Sequence, residues 1–268
     1  MADDGTSIAP FPAGGEDVTG DGLRRLSGLA GTLLLVQAVL LGIILAMAPA
    51  RVVLPITLGL PGGRERIVLF AVDIGAGVIV LAVLVAVSRL VVVMPSVFPH
   101  YSSGVSSNRH TARWIEFVFS SSIIVFLVAQ VNGVSDIGTL VLSYAITSGM
   151  TLFIVLQERS VRPKTGRMLP LWFGAAIGIV PWGVIAFHQV SALVVGQPLS
   201  ALARVITLTM LACAFAFFVS HWRDQRRRDS VPSALAGERT HILLSLASTS
   251  VFAWLVAFGV LGVGNVRL

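Results

Sequence analysis

The chain has 268 residues but only one lysine, one cysteine and few charges of any kind. The lysine, Lys164, lies in a polar loop outside every apolar run. Lysine amines are the usual protein partners for imines with carbonyl compounds, so no apolar run can hold such a bond. Cys213 stands alone, which excludes an intramolecular disulfide and argues against a metal site. His100, His110, His188, His221 and His241 are scattered, with no i, i+4 metal pair. Walker loops, dinucleotide fingerprints, G-x-S-x-G elbows and zincin motifs are all missing, so an enzyme is not expected.

What remains is overwhelmingly apolar: 55% of residues are hydrophobic and 12% are charged. Seven runs, at approximately 26–49, 67–94, 113–133, 137–157, 168–190, 199–222 and 240–264, approach bilayer length. They are too long for strands, so a helical bundle is expected rather than a barrel. The fourth run is interrupted by Ser143, Tyr144, Thr147, Ser148 and Thr151, which suits a helix facing its neighbours. The expected fold is an all-α, seven-helix membrane bundle in one domain spanning 24–268.

Residues 1–23 are polar, Gly-rich and acidic, and read as a disordered tail, with neither a basic start nor an A-x-A-like cleavage site. With seven spans, the tail shares a side with the loops after the second, fourth and sixth runs. That side carries Arg24, Arg25, Arg109, Arg113, Arg159, Arg162, Lys164, Arg167, Arg223, Arg226, Arg227, Arg228 and Arg239. The other carries Arg51, Arg64, Arg66 and Arg267, with Arg204 just inside the sixth run. The positive-inside rule then puts the N-terminus in the cytoplasm and the C-terminus outside a plasma membrane. The formal charge of +6 is mostly this signal and calls for no nucleic acid. Arg223–Arg228 reads as an anchor on anionic lipid, or alternatively as a docking patch for an acidic cytoplasmic partner.

The loop at about 50–66 has strand character. Arg51 to Leu60 and Arg64 to Leu69 flank a Pro61-Gly62-Gly63 turn, which predicts a short external hairpin. Pro55 limits the first arm to an edge strand. Such an exposed apolar ribbon lies on the membrane or pairs with a second subunit.

Several motifs occur together. The third run opens Ala112-Arg113-Trp114-Ile115-Glu116-Phe117-Val118-Phe119-Ser120 and ends near Gln130-Val131-Asn132-Gly133. Gln157-Glu158-Arg159, Leu169-Pro170-Leu171-Trp172-Phe173-Gly174 and Gly178-Ile179-Val180-Pro181-Trp182 follow. The last run has Gly237-Glu238-Arg239, Leu244-Ser245-Leu246 and Ala253-Trp254. This set resembles the heliorhodopsins from about Arg113 to the C-terminus. The resemblance implies a dimer of seven-helix protomers that does not pump ions and senses light or regulates a partner. It implies all-trans retinal on a seventh-helix lysine, with a third-helix glutamate as counterion. Glu116 matches that glutamate and Ser245 the serine one turn before the lysine; Thr249 occupies the lysine position. The family's internal histidine pair falls on Gly31 and Arg89.

The candidate site is therefore Thr249, Glu116, Ser245, Ser120, Trp182 and Trp254, with Phe215, Phe217 and Phe218 as further apolar lining. Pro181 is expected to kink the fifth helix and set Trp182 beside the cavity. Glu116 has two readings: a pocket residue, or an i, i+3 partner of Arg113. Arg89 is expected to snorkel to the cytoplasmic interface, the alternative being a pair with Glu116. Asp73 is expected to pair with Arg51, Arg64 or Arg66. Gly174 and Gly178, small residues four apart, suggest a fifth-helix dimer contact.

The function expected is that of a sensory or regulatory membrane protein without covalent retinal. Its cavity is empty, lipid-filled or occupied by non-covalent retinal or another apolar ligand. The alternatives are a small-solute transporter or channel, and a structural partner of a lysine-bearing rhodopsin.

Overall fold

The structure, a computed structural model, describes residues 16–48, 51–62, 65–160, 168–226 and 231–262. Helix α1 (Glu16–Ala46) leads to strands β1 (Val53–Gly59) and β2 (Arg66–Asp73), then to α2 (Ile74–Val92) and the short α3 (Phe98–Ser106). Helices α4 (Thr111–Val131), α5 (Ile137–Ser160), α6 (Leu169–Gly178), α7 (Val180–Val194), α8 (Ala201–Arg226) and α9 (Val231–Leu261) complete the chain. Seven spans among the described residues are long and apolar enough to cross a membrane, with α6 and α7 together forming the fifth. Their outer faces stay apolar: Leu29, Val36 and Ile43 on α1, and Phe187 and Val194 on α7, are exposed. Inside, Leu34, Leu81, Val128, Ile206 and Phe252 are buried in a common core.

Caps and breaks explain the boundaries. Asp73 ends β2 and caps α2, accepting from the Ala76 N–H at 3.1 Å. It also faces Arg51 at 3.8 Å, one of its expected partners. Asp136 caps α5 through the N–H of Thr139 at 2.8 Å, and that bond holds its carboxyl below the usual range. The fifth span breaks after Gly178 because Pro181 has no N–H to return to the preceding turn, as expected from the sequence.

Some boundaries differ from the sequence reading. Residues 67–73 belong to β2 rather than to the second helix, because a short β-branched run fits either period. The hairpin therefore extends past residue 66 to Asp73, with Pro55 paired opposite Ala71. Helix α9 begins at Val231, well before 240. Helix α1 begins at Glu16, inside the stretch read as a tail; residues 1–15 lie outside the described residues, as do Gly63, Arg64, Arg162, Lys164, Arg227, Arg228 and Arg267.

Gly174 and Gly178 pack against α5 within the chain. A Cβ at Gly174 would lie 3.1 Å from the Met150 carbonyl of α5, and one at Gly178 would overlap the Met150 side chain. The small residues let α6 lie flush on α5. The hairpin also has a tertiary contact: the Thr57 N–H donates to the Ser135 carbonyl at 2.8 Å, tying β1 to the α4–α5 turn. β2 is left open, with Ile67, Val68, Leu69 and Phe70 exposed.

Candidate functional site

Helix α4 carries its ionisable residues within two turns of its start, at Arg113 and Glu116. Helix α9 presents Glu238, His241, Ser245 and Thr249 at spacings of three and four, a stripe on one face. Arg89 sits in the last turn of α2, and His221 and Asp224 lie near the end of α8. Antiparallel packing brings these helix ends together at one end of the bundle. Glycine permits the closest approach: a Cβ at Gly31 of α1 would lie 3.1 Å from the Arg89 Cβ. Gly31 and Arg89 thus lie against each other, and α1 has no room for a side chain there.

The centre is Glu116, 2% exposed. Its Oε2 receives Arg89 Nη2 at 2.7 Å and faces His241 Nε2 at 3.4 Å. Its Oε1 receives the Ser245 hydroxyl at 3.1 Å. A buried carboxylate needs this degree of compensation. Arg89 therefore does not snorkel. It is itself buried, because the charge within reach of its guanidinium is a carboxylate inside the bundle.

A second knot surrounds Glu238, which is fully buried. It accepts from the Tyr101 hydroxyl at 2.9 Å and binds His110 Nδ1 at 2.7 Å, with Arg113 Nη1 at 3.6 Å. Arg113 also reaches Asp224 at 3.4 Å and stacks over Trp114, so the i, i+3 pair with Glu116 does not form. Burial pushes the Tyr101 phenol well above its ordinary range, and the negative charge of Glu238 adds to this. Glu158 accepts from the Trp114 indole at 2.6 Å and from the His110 backbone at 2.8 Å.

Against these knots lies an apolar cavity of about 360 Å³ between α4, α5, α6, α7, α8 and α9. Such a volume is within the range of small-molecule pockets. Thr249, Ser245, Ser120 and Trp182 are on its wall, together with Phe215, Phe217 and Phe218. Glu116 is not: it touches the wall through Ser245, and borders instead a shallow groove between α2 and α4. Trp254 also lies off the wall, packed against Phe258. It is five residues beyond Thr249, about 140° around the helix.

The heliorhodopsin family model matches residues 23–261. The chain belongs to the heliorhodopsin family. No curated protein matches it. Heliorhodopsins normally bind retinal, and the fold here is that of a multi-pass, rhodopsin-like membrane bundle. What sequence reasoning missed in this heliorhodopsin is the second knot and the imidazole pair His221 and His241, whose rings stack at 5.8 Å. A signal existed: Glu238, His241, Ser245 and Thr249 share one helical stripe, and Phe217 and His221 are four apart.

Proposed function

We propose that this heliorhodopsin carries no covalent retinal and acts as a sensory or regulatory membrane protein whose cavity holds a non-covalent apolar ligand. The observation that carries the reading is the Arg89–Glu116 pair. The carboxylate that would balance a protonated imine is already balanced by a guanidinium. Thr249, at the position matched to the lysine, offers the cavity a hydroxyl and a methyl group in place of an amine. The residues present suit the apolar body of a retinoid but not its linkage.

In this reading the N-terminus is cytoplasmic, because Arg24, Arg25, Arg109, Arg159, Arg223 and Arg239 share its end of the bundle. A homodimer joined through the exposed face of β2 fits the same picture. Ion pumping is not expected.

The test is to add all-trans retinal to the purified protein, reduce with borohydride and measure intact mass. The expected result is no retinyl adduct and no hydroxylamine-sensitive visible band. A stoichiometric adduct, on Lys164 or elsewhere, would overturn the proposal.

A further inference from the structure

Helix α8 is fastened to α4 at both ends, with the cavity between the two fastenings. At one end Asn132 Nδ2 donates to Thr207 Oγ1 at 2.8 Å, and Gln189 Nε2 of α7 donates to Asn132 Oδ1 at 2.7 Å. This set is neutral, and Asn132 and Thr207 are buried. At the other end the tie is the ion pair of Arg113 with Asp224 at 3.4 Å. Phe117 stands one turn after Arg113, and Phe217 two turns before Asp224. Their rings meet at 4.9 Å, and the His221 ring lies 5.5 Å from Phe117. Phe117, Phe217 and His221 all belong to the cavity wall. The ion pair and the wall therefore depend on one quantity, the separation of α4 from α8.

The charged fastening is the one suited to release. Arg113 is buried but has a second carboxylate, Glu238, at 3.6 Å. Losing Asp224 therefore does not strand its charge, which is the severe outcome for a buried pair. The Asp224 side chain is 22% exposed and needs little movement to reach water. Its place is kept by a missing side chain: a Cβ at Gly237 of α9 would lie 2.7 Å from the Asp224 carboxylate. At the Asn132 end both partners are buried, so parting them gives neither side chain access to water. Helix α8 thus has a pivot at one end and a releasable contact at the other.

We propose that Arg113–Asp224 is a latch coupled to the cavity: an apolar ligand seated against Phe117 and Phe217 holds the charged end of α8 against α4. Swinging that end outward parts the two rings and opens the wall, so the ligand binds the latched form more tightly. By reciprocity, releasing the latch weakens binding by the same factor as the ligand favours closure. This rests on the reading of the cavity as a non-covalent ligand site. It adds the movement through which occupancy is read at the charged end of the bundle.

Nitroxides at Arg109→Cys and Arg226→Cys, exposed positions near the ends of α4 and α8, report the separation by pulsed electron resonance in a Cys213→Ala background. All-trans retinal is the probe ligand. Its affinity for the unlabelled proteins is read by quenching of tryptophan emission; Trp172 and Trp182 line the cavity. Two variants release the latch. Asp224→Asn removes the charge. Gly237→Ala keeps every charge, displaces the Asp224 carboxylate with a methyl group and favours the α9 helix. Both are expected to add a population several ångströms longer than the wild-type distance. Both are expected to bind retinal about 5-fold or more weakly, and to return to the wild-type distance when retinal is added. Wild-type distances in the folded variants would overturn the latch. Longer distances with retinal affinities within about twofold of wild type would overturn the coupling and leave the cavity reading standing. Failure of retinal to bind the wild-type protein would overturn the cavity reading and the coupling with it, while the distances still decide the latch.

Discussion

Arg89 Nη2 lies 2.7 Å from Glu116 Oε2, and both side chains are almost completely buried. Helix α2 supplies the cation and α4 the anion, so the pair bolts two spans together while setting the charge of the site. Removing one partner of a buried pair costs far more than removing both. Arg89→Gln is expected to destabilise the protein by about 3 kcal/mol, and adding Glu116→Gln to recover most of the loss. Thermal unfolding of the purified variants checks this; equal losses in the single and double variants would mean the ion pair is not the cause.

The same pair governs any attempt to install imine chemistry. Thr249→Lys puts an amine one turn beyond Ser245 on the α9 stripe. With Arg89 in place, a protonated imine there meets a carboxylate whose charge is already taken. Arg89→Gln/Thr249→Lys is therefore expected to give several-fold more hydroxylamine-sensitive visible pigment with all-trans retinal than Thr249→Lys alone. Absorbance at matched protein concentration decides it, and equal yields would free Glu116 from the role argued for it.

Tyr101 makes a pH prediction. Its phenol titrates higher in the folded protein than the ordinary value of 10.0, because burial and Glu238 disfavour the phenolate. A group raised on folding contributes its stability below the unfolded value and loses it as pH climbs towards the folded one. Above about pH 10 the wild-type protein should lose melting temperature faster than Tyr101→Phe. Below that pH the variant should be the less stable, by about 1–2 kcal/mol for one lost bond to a buried carboxylate. Parallel melting curves from pH 8 to 11.5 would exclude the contact.

The open face of β2 predicts an assembly. Val68→Lys/Phe70→Lys places charge on the exposed strand, where Phe70 stands opposite the buried Ile56. The wild-type protein is expected to run as a dimer in mild detergent and this variant as a monomer with an unchanged melting temperature. Light scattering of the detergent complexes distinguishes them; a variant that stays dimeric moves the interface elsewhere.

The bundle was legible because its spans are long and uninterrupted, and the hairpin because Pro61 and Gly62 separate two β-branched arms. Side-chain pairing was less so. Composition shows that Arg89 must find a partner or an interface, but the rotation of α2 against α4 decides which. Resemblance put Glu116, Ser245 and Thr249 in one site, and the structure brings the first two into contact. It could not show that Ser245 stands between the carboxylate and the cavity. Trp254 was misplaced because an aromatic near a site in sequence need not share its helical face. The Glu238 knot draws on α3, α4 and α9; the stripe on α9 marks the face, but local spacing does not show that Tyr101 and His110 converge on it.

The one-sidedness of the ionisable network has an electrical consequence. Among the described residues, every carboxylate within a span, Asp21, Glu116, Glu158, Asp224 and Glu238, lies in the half of the bundle where α1 begins, α2 ends and α4 begins. Moving a full elementary charge across 100 mV is worth about 2.3 kcal/mol. A proton passing among these groups traverses only part of that drop. A membrane potential therefore exerts little leverage on charge moved within the site.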